Sequence, residues 1–435
     1  MTISVGEPIP AVESRIGQKD PLAEHDLAAI AESVARRLHE LSLVGRDPAG
    51  GWSRPGLSGA ERQAHEVFAS WAMNEGYGLQ QDGLGSSFAR ARGEGPEIVI
   101  GSHLDTVPRG GSFDGAAGVV AAFEAAGVLR ERDLRLPITI VAFACEEGAR
   151  FGVPCLGSQV ACGQLSSRRL AEIRDADGVS ALEAAQALGL PTGDINTPTW
   201  TSGSIACFLE LHIEQGRVLE ELGYQIGVVD VIAGSTRLEL TIKGRSDHSG
   251  ATPMHLRRDA LAGAAEIISF VERAARKART AVATVGRLSV SPNALTTVPG
   301  EVTLAVDIRD VDSTRQRELA GAARQYARYV AADRGLDCSV RLLHDRSPGI
   351  LHHWVRALIT ETCDGASVPY RVMRSGAAHD AVIMSEVAPT GMLLVPSRAG
   401  LSHAADEWSD VQDIALGAII LARTAAEIGA KLGSP

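Results

Sequence analysis

The stretch EIVIGSHLDTVPRGGSFDGAAGVVAAFEAAGVLRERDLRLPITIVAFACEEG, residues 97–148, decides the fold. Its first run, Glu97 to Gly101, is apolar, short and without alternation, which reads as a strand covered on both faces. Ala116 to Arg130 is rich in Ala, Val and Leu and long enough for a helix, and Pro137 to Ala144 is a second apolar run of strand length. Strand, helix, strand in that order predicts a βαβ unit, with helices packed over a sheet that contains parallel strands.

Working outward, Ala206 to His212 reads as a third buried strand. Upstream, Leu27, Ile30, Val34, Leu38 and Leu41 recur at helical spacing, a second helix is predicted around Ala60 to Glu75, and the opening segment to about Gln18 is polar and patternless. From about Val229 the pattern changes. Thr236 to Lys243 and Glu301 to Arg309 alternate with period two, the mark of half-buried antiparallel strands, and helices are predicted over Arg258 to Arg279 and Ser313 to Arg334. The expectation is an α/β fold: a mixed-sheet catalytic domain formed by residues 1–229 and 346–435, with a smaller α+β lid or dimerisation domain, 230–345, inserted into it. A helix from about Val411 to Leu432 ends the chain, which shows no internal repeat.

Composition narrows the function classes. At 435 residues the chain exceeds the size at which single cores stop growing, and 45% hydrophobic with 22% charged residues suits a folded soluble protein. A formal charge of −11 and the lack of a basic block argue against a nucleic-acid partner; Arg273 to Arg279 reads as a solvated helix face. No apolar run reaches the roughly 18 residues of a membrane span, and Met1 to Asp20 lacks the apolar core of a signal peptide. Six scattered cysteines without a CxxC pair suit free thiols in a reducing, cytoplasmic setting.

Ligating side chains gather at strand ends, where sites form on α/β sheets. His103 and Asp105 follow the first strand, and Asp105 is placed to orient the imidazole. The turn-rich loop Val107 to Gly115 delivers Asp114 at a helix entrance, as a ligand or as an N-cap. Glu146 and Glu147 are adjacent carboxylates after the next strand, a repulsive pair unless a cation or shared proton relieves it, or simply a solvated acidic pair. His212 closes the third strand, as a core residue or a ligand, and His403 lies in a Gly- and Ser-containing loop after Met392 to Val395. Three histidines and two carboxylates in such loops make up the inventory of a two-metal site with a bridging Asp.

The blocks GSHLDTVPRGGSFDG (101–115), EEGARFGVPCLGS (146–158), ELHIEQG (210–216), SDHSGATPM (246–254), SGAAHDA (375–381) and GLSHAADEW (400–408) resemble, in order, the amidase branch of the dinuclear zinc peptidase superfamily. That branch holds N-carbamoyl-L-amino-acid hydrolases, allantoate amidohydrolases and beta-ureidopropionases. The resemblance implies that His103 and His212 hold one divalent ion, Glu147 and His403 the other, and that Asp114 bridges them. Zinc, manganese, cobalt and nickel all suit such ligands. It makes Glu146 the general base, gives Asn293 and Arg309 to the substrate carboxylate, and adds Gln215, Gly376 and His379 as further substrate contacts. His248 resembles a histidine that reaches the neighbouring subunit's active site, which implies a homodimer. Relatives commonly read Ser-Gly-Ala-Gly-His-Asp where this chain has Ala378, so either that loop needs no left-handed backbone or its pocket differs.

The function expected is hydrolysis of the ureido bond of a small carboxylate-bearing substrate, an N-carbamoyl-L-amino acid. Allantoate or N-carbamoyl-beta-alanine comes second, an acyl or peptide amide third, and a binding protein without chemistry on the same fold last.

Overall fold

The computed structural model describes residues 27–93, 95–131 and 136–432; the polar opening segment lies outside them. Six strands come first: β1 (Gly78–Gln81), β2 (Ser87–Arg90), β3 (Glu97–His103), β4 (Ile138–Phe143), β5 (Ile205–Ile213) and β6 (Ile226–Ile232). Next are β7 (Gly234–Lys243), β8 (Asp247–His248), β9 (Val282–Ser291), β10 (Thr297–Val298), β11 (Glu301–Asp310) and β12 (Asp337–Arg346). The last are β13 (Gly349–Ile350), β14 (Tyr370–Ser375) and β15 (Thr390–Val395).

The first sheet runs β1-β2-β4-β3-β5-β15-β6-β13, with β14 also paired to β6. Its centre, β4-β3-β5-β15, is parallel throughout, while β2, β6 and β13 join antiparallel neighbours. The sheet is therefore mixed. Alternation divides the central strands between two cores. Ile98, Ile100, Ile140, Leu209 and Leu211 pack with the helices α1 (Leu27–Ser42), α2 (Gly59–Asn74), α3 (Ala116–Glu131) and Val411–Leu432. Val99, Val141, Phe143 and Phe208 pack on the other side with Trp200. A strand buried on both faces has no polar side to show, which is why its sequence runs apolar without alternation. Helix α3 lies so close to β5 that a Cβ on Gly118 would come 2.1 Å from the Leu211 carbonyl oxygen.

The second sheet, β12-β7-β11-β9, is wholly antiparallel and takes up residues within 234–346. Every second residue of β11 is buried, facing the helices Ala260–Lys277 and Ser313–Asp333 across a core of its own. Each helix begins on an aspartate, Asp259 or Asp312, that accepts two backbone N–H bonds of the first turn. Those caps set the starts, so the first helix begins two residues later than its apolar spacing suggests. Strand β6 stays in the first sheet through Ile232, beyond the expected boundary at 230, because Val231 and Ile232 pair with β13.

All six cysteines are free. Among the described residues no helix is long and apolar enough to cross a membrane.

Candidate metal centre

The four parallel central strands end on the same edge of the sheet, and their carboxyl ends carry the predicted ligands. His103 is the last residue of β3 and His212 the penultimate residue of β5. Glu147 follows β4, and His403 lies in the loop after β15. His103, Asp114 and His212 bring one ligand atom each within 4.8 Å of one another, and so do Asp114, Glu147 and His403. Asp114 belongs to both groups through different oxygens. Its Oδ1 lies 3.0 Å from His212 Nε2 and 3.5 Å from His103 Nε2, and its Oδ2 lies 3.3 Å from His403 Nε2, which is also 3.3 Å from Glu147 Oε2.

The residues fit two divalent cations. Nitrogen and carboxylate donors suit zinc or manganese, and both groups share a carboxylate that can bridge. Glu147 Oε1 and His212 Nε2 are buried without a hydrogen-bond partner, a costly arrangement for polar atoms unless something else meets them. The far nitrogens of the rings are engaged: His212 Nδ1 lies 2.9 Å from the Ile213 carbonyl, and His103 Nδ1 lies 3.2 Å from the Asp105 carbonyl and 3.4 Å from its carboxylate. Donation there leaves Nε2 of each ring, once it has lost its proton, able to offer its lone pair to the centre.

Local backbone conformation aims these groups. Cys145, Gln215 and His403 have φ of 55°, 58° and 56°, a left-handed conformation that side chains with a Cβ seldom adopt and that clusters at functional sites. Gly115, at φ 65°, turns the loop into α3, and a Cβ there would strike the His103 ring at 2.5 Å. Asp105 does more than face His103. Its two oxygens accept the backbone N–H groups of Glu146 and Glu147 at 2.8 and 3.1 Å, which holds both acids in register with the ligands.

Electrostatics follows from burial and crowding. Burial would raise the Asp114 carboxyl, but His212, His103 and His403 hold it well below the usual carboxylate range. Burial pushes Glu146 well above its ordinary value, with His103 opposing and Asp380 and Glu147 adding to the rise. Glu146 Oε2 lies 3.8 Å from His103 Nε2, so a proton-accepting carboxylate borders the ligand cluster. Hydrogen bonds to Asp114 and Glu147 push His403 up to about 11.

The remaining predicted residues divide. A cleft of about 720 Å³ is lined by Gln215, His403, Gly376 and, from the second sheet, Arg309. Gln215 Nε2 donates to Asp114 Oδ2 at 2.7 Å, and Arg309 donates to the Gly376 carbonyl at 2.9 Å and to Asp307. His379 does not line this cleft. It is buried behind the centre, Nε2 2.7 Å from Ser375 Oγ, with its ring edge-on to His212 at 4.5 Å. Neither Gly376 nor Ala378 has a positive φ, so the loop needs no glycine at 378. His248, on β8, and Asn293 are exposed and lie outside the cleft lining.

Glu407 was not singled out from sequence. Its Oε1 accepts the N–H groups of Phe113 and Asp114, and its Oε2 accepts Ser402 Oγ and the His403 N–H, so it ties the bridging ligand's loop to that of His403. Burial pushes its carboxyl up to about 7. The one sequence signal was an acid four residues after a ligand histidine in an otherwise unpatterned loop.

Residues 99–427 match the family model described as peptidase family M20/M25/M40. The chain is 38% identical over 398 residues to an N-carbamoyl-L-amino acid amidohydrolase of Geobacillus stearothermophilus, covering 90% of this chain and 97% of that one. It is 35% identical over 398 residues to an allantoate amidohydrolase of Escherichia coli K12, covering 90% and 96%. The crystal structure of a hydantoinase/carbamoylase family amidase from Burkholderia vietnamiensis superposes with a TM-score of 0.85 at 31% identity, over 92% of this chain and 97% of that one.

Proposed function

The chain belongs to the M20/M25/M40 peptidase family, and from that premise we propose that it is an amidohydrolase that converts an N-carbamoyl-L-amino acid, with water, to the amino acid, ammonia and carbon dioxide. The observation that carries this reading is Asp114 set between two ligand groups with Glu146 beside them.

We assign His103 and His212 to one divalent ion, Glu147 and His403 to the other, and Asp114 to both. Such a pair supplies Lewis-acid pull on a carbonyl oxygen and makes water acidic enough to react near neutral pH. Glu146 takes the proton of the attacking water and returns it to the departing nitrogen, a role helped by a carboxyl whose pKa is raised. Asp105 positions Glu146 by its backbone. Gln215 orients Asp114 and faces the cleft. Arg309 suits the substrate carboxylate because its planar fork can pair bidentately. Its bond to Gly376 reaches from the second sheet to the loop after β14, which supports reading the smaller sheet and its helices as a lid whose closure completes the clamp.

A homodimer is part of the proposal. His248 and Asn293 lie outside the cleft lining, and the segments that flank them carry exposed apolar side chains: Met254 at 76%, Leu256 at 55% and Leu295 at 100%. Apolar groups of this size at one place suit contact with a second copy.

Allantoate is the second reading, favoured by the 35% identity to the Escherichia coli enzyme, almost that of the carbamoylase relative. Ammonia release after loading with manganese or zinc, from N-carbamoyl-L-amino acids, N-carbamoyl-beta-alanine and allantoate side by side, tests the proposal. Chelator-sensitive turnover of the carbamoyl amino acids is the expected result. Turnover of allantoate alone selects the second reading, and silence on all three overturns both in favour of an acyl or peptide amide.

A further inference from the structure

The cleft carries more positive charge than one carboxylate clamp uses. Arg371 and Arg374, both on β14, line it with Arg309. Among the described residues strand β14 pairs with β6 alone, so its other edge has no strand partner there. Both arginines are exposed, and among the described residues neither guanidinium makes a hydrogen bond or ion pair. Some exposed arginines elsewhere are matched, Arg287 and Arg341 with Glu239 and Arg346 with Glu386; others such as Arg92, Arg279 and Arg328 are exposed to solvent but line no cleft with Arg309. The one acidic residue in the cleft lining, Glu214, has its oxygens taken up by the N–H groups of Val218 and Leu219.

Three guanidinium groups around one cavity repel one another, and two of them have no internal counter-charge. Guanidinium groups bind carboxylates strongly and with defined geometry. The chain's net charge of −11 gives no long-range attraction to an anion, so a local cluster must provide it. At about 720 Å³ the cleft also has room for a side chain beyond the ureido and α-carboxylate groups.

We propose that Arg371 and Arg374 form a second anion subsite, so that the preferred substrate carries a side-chain carboxylate in addition to its α-carboxylate, as N-carbamoyl-L-glutamate and N-carbamoyl-L-aspartate do. This rests on the ureido-hydrolase reading above. Arg309 takes the α-carboxylate, and the β14 pair takes the side-chain carboxylate.

The test compares kcat/KM of the metal-loaded protein for N-carbamoyl-L-glutamate and its neutral isostere N-carbamoyl-L-glutamine, in wild type and in the double variant Arg371→Gln/Arg374→Gln. The expected result is a preference for the glutamate substrate of roughly 10- to 100-fold, the factor carried by hydrogen bonds to charged groups, which collapses toward one in the variant. A wild-type ratio near one overturns the proposal, as does a variant that slows both substrates in proportion. Calorimetric titration with glutarate and with glutaramate reads the subsite without turnover. Tighter binding of glutarate, lost in the double variant, upholds the subsite even if no ureido compound is hydrolysed, while equal binding of the two overturns it.

Discussion

At the scale of the residue, the centre depends on carboxylates whose neighbours decide what each can do. Glu146 and Glu147 are adjacent in sequence, yet Glu147 faces His403 at 3.3 Å while Glu146 faces His103 at 3.8 Å. Glu146→Gln is therefore expected to keep its metal and to lose at least the ~10²-fold in turnover that goes with a removed acid or base. Metal analysis beside steady-state kinetics checks this, and near-normal turnover would take Glu146 out of the mechanism. Glu407→Gln removes a negative charge and one acceptor from a carboxylate serving four donors. Weakening of metal affinity by about 10- to 100-fold is expected, as for other groups that orient ligands, and retention of metal during dialysis against a graded chelator measures it. Of the proposed ligands, His103, Glu147 and His212 were legible because each lies at or just past the end of an apolar run, whereas Asp114 and His403 lie in loops and were marked by the turn residues and motif blocks around them. Glu407 was not, because a side chain that works by accepting backbone N–H bonds leaves no periodic trace.

At the scale of the element, the buried strands beside the motifs and the long helices were readable and edge strands were not, neither the four-residue β1 nor the ten-residue β9 and β12. Helix Val411–Leu432 matches its apolar spacing at both ends, and β3, β4 and β5 stand where the runs predicted them. Strand β14 carries exposed arginines where a strand signature would want apolar residues, since its place at the edge comes from pairing with β6 and not from burial. Packing between elements also has a pH signature. His65 on α2 is buried against Ser87 of β2, 2.9 Å from its hydroxyl, and burial lowers its pKa to about 4 against the partial opposition of Asp105. The unfolded chain takes up that proton near 6.5 and the folded one only near 4. Between those values the unfolded state binds more protons, so this contribution is complete above about 6.5 and is lost as pH falls toward 4. Asp82, raised by burial to about 6, works in the opposite sense, so the comparison must be a difference. Urea denaturation of wild type and His65→Gln is expected to show a stability gap that narrows from pH 6.5 to 4; a constant gap would contradict the assignment.

At the scale of the whole molecule, Arg309 stands on one sheet and the proposed ligands on the other, as the change of pattern near Val229 implies, but the order of motifs does not show the cleft that Arg309 and His403 line together. Strand β11 runs antiparallel to β7 over ten paired residues, from Glu301 opposite Lys243 to Asp310 opposite Gly234, and so brings Arg309 back to the point where the chain left the first sheet. The same register sends β8 and the 292–296 loop outward, with His248 and Asn293. Homodimers of His248→Ala and of Glu146→Gln are each expected to be nearly inactive, and mixing them under conditions that exchange subunits is expected to recover part of the wild-type rate. No recovery would assign His248 a role within its own subunit.

The five proposed ligands are separated by up to 300 positions, from His103 to His403, and are delivered by the ends of four different strands and the loops that follow them. An unfolded chain offers them no common meeting place, so ions bind the native state almost exclusively. Occupancy is thereby coupled to the folding equilibrium by mass action: each tenfold rise in free ion above a site's dissociation constant adds about 1.4 kcal/mol to the native state. On the proposed assignment, the fraction of chains that survive proteolysis or heat follows the ambient ion concentration, and the abundance of the protein becomes a gauge of metal supply as well as of its own synthesis.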